Sequence, residues 1–223
     1  MRLIRGLSHP ATTLGAVIDD LRLRALAARQ HGLVATHQLD EAMVGEHLRR
    51  RLTDQRRWER RTPRVLRLIG STETPMQRAM LAVLDAGPGA CLASTTAAAW
   101  WGIPGNLTEP WQVIRRRGHV GRPERSAHRH EPVLLPDHHV VKLDGVPVVV
   151  PARALFDVAG TRRRGAELPW WVDRMARMVD TAWAMRLVSG ATLHAMLDDL
   201  AQRGRPGIRV MRQVLADRGL DYV

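Results

Sequence analysis

One cysteine, one lysine, one tyrosine and one phenylalanine occur among 223 residues, and each scarcity excludes something. A single thiol, Cys91, rules out an internal disulfide framework and fits a reducing compartment. Its place in the apolar run Ala90 to Ala93 makes it a buried, inert thiol rather than a nucleophile. The lone lysine, Lys142, sits in VVKLDG, with no carboxylate-x-Lys motif anywhere. The clustered carboxylates and lysine with which a restriction-type nuclease holds Mg²⁺ and activates water are therefore missing. There is no run of about 20 apolar residues and no leader with the apolar stretch of a signal peptide, so a cytoplasmic protein with no membrane partner is expected. A phosphate loop G-x-x-x-x-G-K-[ST], a zinc motif H-E-x-x-H and a nucleophile elbow G-x-S-x-G are all lacking. The expectation is a protein that is not an enzyme and that uses no cofactor and no metal.

What the chain has is arginine. The formal net charge is +12, the sequence pI is near 11.5, and Lys142 is the only lysine among 34 basic residues. Such a balance favours a polyanionic partner. A hydrophobic fraction of 45% is enough for packed cores, which excludes global disorder. Because arginine is abundant throughout, its clustering says more than its number.

The densest cluster lies in Thr36 to Leu68, where Arg49 to Arg67 holds nine arginines opposed only by Asp54 and Glu59. Thr36 has the hydroxyl of a helix N-cap, and Leu39, Ala42 and Met43 follow at helical spacing. Val44-Gly45 supplies a tight turn, where glycine tolerates positive φ. A second helix is expected from about Glu46 to Thr53. Leu48 and Leu52, four apart, face the core, which turns Glu46, Arg50, Thr53 and Asp54 outward, with His47 and Arg49 on the flanks. Arg57 to Arg61 and Val65 to Leu68 then read as two strands around Arg61-Thr62-Pro63-Arg64, pinned by Trp58 and Val65. The whole reads as a winged helix-turn-helix. Arg50 is the side chain best placed to reach a guanine edge, a contact worth ~1–3 kcal/mol of discrimination. Arg56, Arg57, Arg60, Arg61 and Arg64 of the wing, with Thr36 and His37 at the start of the preceding helix, are expected beside phosphates, which position without reading sequence.

Either side of this segment the periodicity is also informative. Residues 1–16 read as a loose leader. Val17, Leu21, Leu23, Leu26 and Ala27 mark a helix stopped at His31-Gly32, so the DNA-binding domain is expected over residues 17–70. The remainder, 71–223, reads as a mixed α+β domain with a small sheet and C-terminal helices. Helices are expected at Glu73 to Ala86, from Ser94 or Thr95 through Gly102, from Pro151 onward, at Trp170 to Met185, at Thr192 to Gln202 and at Ile208 to Arg218. Strands are expected at Trp111–Arg115, Ala127–Glu131, His139–Lys142 and Val146–Val150, the last two joined by the hairpin signal Asp144-Gly145. The fold class is thus α+β.

The run LAARQHGLVATHQL, followed by a recognition helix and a wing, resembles the N-terminal domain of AbiE-type antitoxins of type IV toxin–antitoxin systems. AGPGACLASTTAAAWWGIPG and DGVPVVVPARALFDVA resemble the domain that follows in actinobacterial members. The resemblance covers roughly Leu21 to Gly219. It implies a repressor of its own operon that binds double-stranded DNA at inverted repeats. It also implies a second domain that counteracts a nucleotidyltransferase-like toxin without requiring a stable complex. Many actinobacterial relatives continue into an endonuclease-like domain of the very-short-patch-repair type, and this chain stops at Val223, about where that domain would begin. The alternative reading is therefore the DNA-targeting part of such an endonuclease-domain protein.

Three further groupings merit attention. Arg115, Arg116, Arg117, Arg122, Arg125 and Arg129 form a second basic cluster in or beside a Gly- and Pro-containing loop; an extended DNA footprint, a toxin or RNA contact and a plain solvated loop all fit it. His128 and His130 alternate on an expected strand and share a face, with His138 and His139 nearby, but no cysteine or clear carboxylate completes a metal site. Arg153 and Asp157, four apart on a helix, are expected to form a modest surface ion pair.

Overall fold

The computed structural model describes residues 21–42, 44, 50, 57–117, 126–161, 167–202, 204–216 and 218–222. The chain is mixed α+β and divides into two compact units, Met1–Asp85 and Ala86–Val223.

In the first unit, α1 (residues 21–28) buries Leu23 and Ala27, one helical turn apart. It stops as the sequence indicated. Gly32 takes φ +86° and donates its N–H to the Ala27 carbonyl, and a Cβ there would lie 2.6 Å from that of Ser71. A strand that periodicity did not reveal follows, β1 (Leu33–Ala35), three buried residues with no alternation to detect. It pairs antiparallel with β3 (Val65–Leu68), Val34 opposite Leu66. Next comes α2 (Thr36–Glu41). Thr36 is not its N-cap: Ala35 holds that position, and the Gln38 side chain accepts the Ala35 N–H at 2.9 Å. β2 (Trp58–Thr62) and β3 form the expected hairpin, giving a three-stranded sheet in the order β1-β3-β2. Leu23, Ala27, Val34, Leu39, Val44, Trp58 and Leu66 make one core, and each large side chain so buried contributes roughly 1.5–3 kcal/mol.

Helix α3 (Pro75–Ala86) belongs largely to this unit, so the compact body extends to Asp85 rather than ending at Gly70. Polar ties account for this. Gln77 Nε2 donates to the His31 carbonyl (2.6 Å) and to Ser71 Oγ (3.2 Å), and Thr62 Oγ1 donates to Asp85 Oδ1 (2.6 Å).

The second unit is built on a five-stranded mixed sheet in the order β6-β5-β4-β8-β7: β4 (Cys91–Leu92), β5 (Gln112–Ile114), β6 (His128–His130), β7 (Val140–Leu143) and β8 (Val146–Val149). β4 runs parallel to β8 and antiparallel to β5, while β6 runs parallel to β5. The β7–β8 hairpin turns at Asp144 and Gly145, with φ +50° and +81°, the conformation the Asp-Gly signal implied. Helix α4 (Ser94–Trp100) packs against α5 (Pro151–Ala159), with Ala97, Ala98, Ala152 and Ala154 all buried. Ser94 takes φ +52° where β4 turns into α4, and Ala93, not Ser94 or Thr95, is the N-cap. Three more helices follow: α6 (Leu168–Ala184), α7 (Gly190–Leu200) and α8 (Ile208–Leu215). The Trp171 indole, buried, donates to the Ala159 carbonyl and ties α6 to the end of α5. No described helix is long and apolar enough to cross a membrane.

Candidate functional site

The wing arginines separate into two groups. Strand β2 begins with Trp58 buried, and strict alternation would expose every second residue. An irregularity in the β2–β3 register between Arg60 and Thr62 breaks that alternation and leaves Arg60 and Arg61 both exposed. A bulge of this kind re-aims side chains at a sheet edge. Arg57, just before the strand, is exposed as well. Arg60 Nη1 donates to the Pro63 carbonyl (3.2 Å) within the turn. Arg61 lies 3.3 Å from Glu73 and 3.7 Å from Glu59, loose pairs at the surface that solvent screens.

Arg64 behaves differently. It is half-buried, and its Nη1 donates to the Asp85 carbonyl at 2.9 Å. That hydrogen bond fastens the hairpin to the end of α3, a tie the sequence did not indicate. Arg67, absent from the expected contacts, is engaged with Ser71, Glu59 and Glu73.

Thr36 and His37 are half-buried. The Thr36 N–H is committed to the Arg64 carbonyl at 2.7 Å, so it is not open to a phosphate. Arg50 is helical and exposed. Glu46, His47, Arg49, Thr53, Asp54 and Arg56 lie outside the described residues.

The second basic cluster is not a free patch. Arg115 is 2% exposed; its Nη1 donates to the Ala86 carbonyl and its Nη2 to Glu131, both at 2.8 Å. Arg116 donates to the Leu135 carbonyl and to Asp137, and Arg117 to the Glu131 carbonyl. Arg129 lies 3.5 Å from the same Glu131 carboxylate. The Arg115 hydrogen bond, with the charges of Arg129 and Arg117, holds the Glu131 carboxyl below its ordinary range. These arginines fasten the ends of β5 and β6 and the loop after them. Arg122 and Arg125 lie outside the described residues.

His128 and His130 are exposed on one face of β6, opposite Gln112 and Ile114 of β5. The histidines that gather a carboxylate are the other two. His138 Nε2 (2.8 Å) and His139 Nε2 (3.0 Å) both meet Asp199 Oδ2, brought from α7 some 60 residues later. His139 is fully buried, and its Nδ1 lies 2.8 Å from Arg153 Nη1. A guanidinium has no acceptor, so Nδ1 accepts and the ring proton sits on Nε2, donated to Asp199. A metal on Nε2 would displace that proton and leave a donor facing the other nitrogen, the reverse of the support metal-bound imidazoles receive. The trio is a hydrogen-bonded tie. Burial, chiefly, holds His139 below its ordinary pKa, and the hydrogen bonds from His138 and His139 hold Asp199 below its own.

Arg153 is therefore no surface residue. It is 0% exposed, with Nε on Asp157 Oδ1 (2.9 Å) and Nη1 shared between His139 and the Leu134 carbonyl. The i, i+4 spacing indicated the pair but not that α5 is buried on nearly every side. Cys91 is buried as expected, its thiol pushed up to about 12 by desolvation first and the Asp157 charge second.

Comparison of the chain with protein-family models and with curated proteins gave no match in either case.

Proposed function

We propose that the first unit binds double-stranded DNA as a winged helix-turn-helix, and that the protein is an antitoxin-like transcriptional regulator. The described order helix, strand, helix, strand, strand, with a sheet ordered β1-β3-β2, supports that reading, in which the sequence segment Glu46 to Thr53 would supply the recognition helix. The observation that carries the reading is the β2–β3 hairpin, where Arg57, Arg60 and Arg61 are exposed together next to a sequence segment carrying four further arginines, Arg49, Arg50, Arg51 and Arg56. Such a hairpin supplies phosphate contacts while a neighbouring helix reads bases. Autorepression of its own operon, and relief of a nucleotidyltransferase-like toxin by the second unit, follow from the AbiE-type resemblance and complete the proposal.

The test is fluorescence anisotropy with the DNA upstream of the gene and a scrambled duplex of equal length. Preference for the upstream DNA, lost in Arg50→Glu, supports the reading. Equal affinity for both duplexes in the unmodified protein, or preference undiminished in Arg50→Glu, counts against it.

A further inference from the structure

A cavity of about 480 Å³ opens within the second unit, bordered by β6, α5 and the turn leading into α8. Its charges do not balance. Arg153 Nε and Arg205 Nη2 both donate to the same oxygen, Asp157 Oδ1, at 2.9 and 3.2 Å. The other described partners of Arg153, the Leu134 carbonyl and neutral His139, carry no charge to offset it. Arg117 reaches the cavity too, bonded to a carbonyl rather than a carboxylate. The remaining acid of the wall, Glu131, is already taken by Arg115 and Arg129.

Two guanidiniums thus share one carboxylate in a desolvated setting. Burial and the Arg153 charge both make the Arg205 cation harder to keep, in that order. Unpaired charge out of water is costly unless an opposite charge arrives. Hydrogen-bonding capacity is unused at the same place: Arg153 Nη2, Asp157 Oδ2 and Ser94 Oγ are buried without a partner among the described residues. All three residues line the cavity. Ile114, Pro132, Val133, Phe156 and Pro206 give the wall an apolar side, and His130, Thr161 and Gln202 add polar groups to it.

We propose that this cavity binds a small organic acid. Its anionic head would meet Arg205, reinforced by the buried charge of Arg153, and its apolar body would lie along Ile114, Phe156 and Pro206. A guanidinium pair recognises a carboxylate through charge-assisted hydrogen bonds, and the volume is that of an ordinary small-molecule site. The inference is independent of DNA binding by the first unit.

The test is calorimetric titration of the full chain, at low ionic strength, with 1-naphthoate and with its neutral counterpart 1-naphthamide. Naphthoate is expected to bind one per chain and at least about tenfold more tightly than the amide. Arg205→Gln is expected to weaken naphthoate by about tenfold and to narrow the gap between the two probes. Asp157→Asn, which releases both guanidiniums, strengthens naphthoate if the variant keeps its far-ultraviolet circular dichroism. Arg60→Ala leaves the affinity unchanged, which separates this site from adsorption on surface arginines. Absent naphthoate binding, equal affinity for acid and amide, or naphthoate affinity unaltered in Arg205→Gln would each overturn the proposal, whether or not the Asp157 variant folds.

Discussion

Arg153 Nη1 and His139 Nδ1 stand 2.8 Å apart with both side chains sealed from solvent, so a fixed cation faces a titratable ring. Around that ring lie Arg153, His138 and Asp199. The burial that depresses the His139 pKa makes the folded state the poorer proton acceptor. Its contribution is fully present above the unfolded histidine value of about 6.5 and is lost as pH falls toward the lowered folded value. The second unit should therefore melt at progressively lower temperature below about pH 6.5. His139→Gln retains an acceptor for Arg153 and a donor for Asp199 but does not titrate. Thermal melts across pH 7 to 5 should show a shallower slope for that variant; parallel slopes would mean that another group governs this range.

The two kinds of wing arginine give opposite expectations. Arg60→Ala should weaken every duplex alike and reduce the salt dependence by about one phosphate, a slope change of roughly 0.9, with stability altered by no more than about 0.5 kcal/mol. Arg64→Ala removes the bond to the Asp85 carbonyl, and should cost about 1 kcal/mol in urea unfolding while changing the salt slope little. A steeper loss of salt dependence in Arg64→Ala than in Arg60→Ala would reverse these roles.

Much of the fold could be read along the chain, and the exceptions share a cause. Strand-like runs bounded by turn signals marked β2, β3 and β5 to β8, and the Asp144-Gly145 turn and Pro151 marked boundaries the structure keeps. β1 and β4 escaped because three and two fully buried residues carry no alternation. Charge was misread for a different reason. A sequence shows that Arg115 lies beside Arg116 and Arg117, but not that Glu131 and the Ala86 carbonyl close around it. Likewise nothing local links Asp199 to His138 and His139, or Arg205 to Asp157, since those pairs form only when α7 and the segment before α8 fold back. Arg115 and Arg153, which a sequence would place at the surface, are internal fasteners.

Two glycines separate backbone strain from steric exclusion. Gly204 and Gly207 have similar positive φ, +80° and +86°. A Cβ at Gly204 would meet nothing within 4 Å, whereas one at Gly207 would lie 2.6 Å from the Gly160 nitrogen and 2.9 Å from the Phe156 carbonyl oxygen. Gly204→Ala should cost only the left-handed backbone penalty, about 1–2 kcal/mol. Gly207→Ala should cost clearly more, because the start of α8 must move off the end of α5. Chemical denaturation of the two variants side by side gives the comparison, and equal losses would show that α8 yields easily.

Cys91 offers a probe of the second unit's cohesion. Its thiol, pushed up to about 12, is almost wholly protonated at pH 8, and its side chain is out of reach of solvent. The thiolate is the species that alkylates, so both factors suppress reaction in the folded protein. Mass-spectrometric labelling with iodoacetamide at pH 8 should be negligible without denaturant and should rise with the unfolding transition of the second unit. Because Cys91 pairs with Ile114 at the centre of the sheet, labelling should not precede loss of the β4–β5 pairing. Rapid alkylation under native conditions would mean that the strand opens locally, and the sheet holding Arg115 and Glu131 would then be looser than its hydrogen bonds indicate.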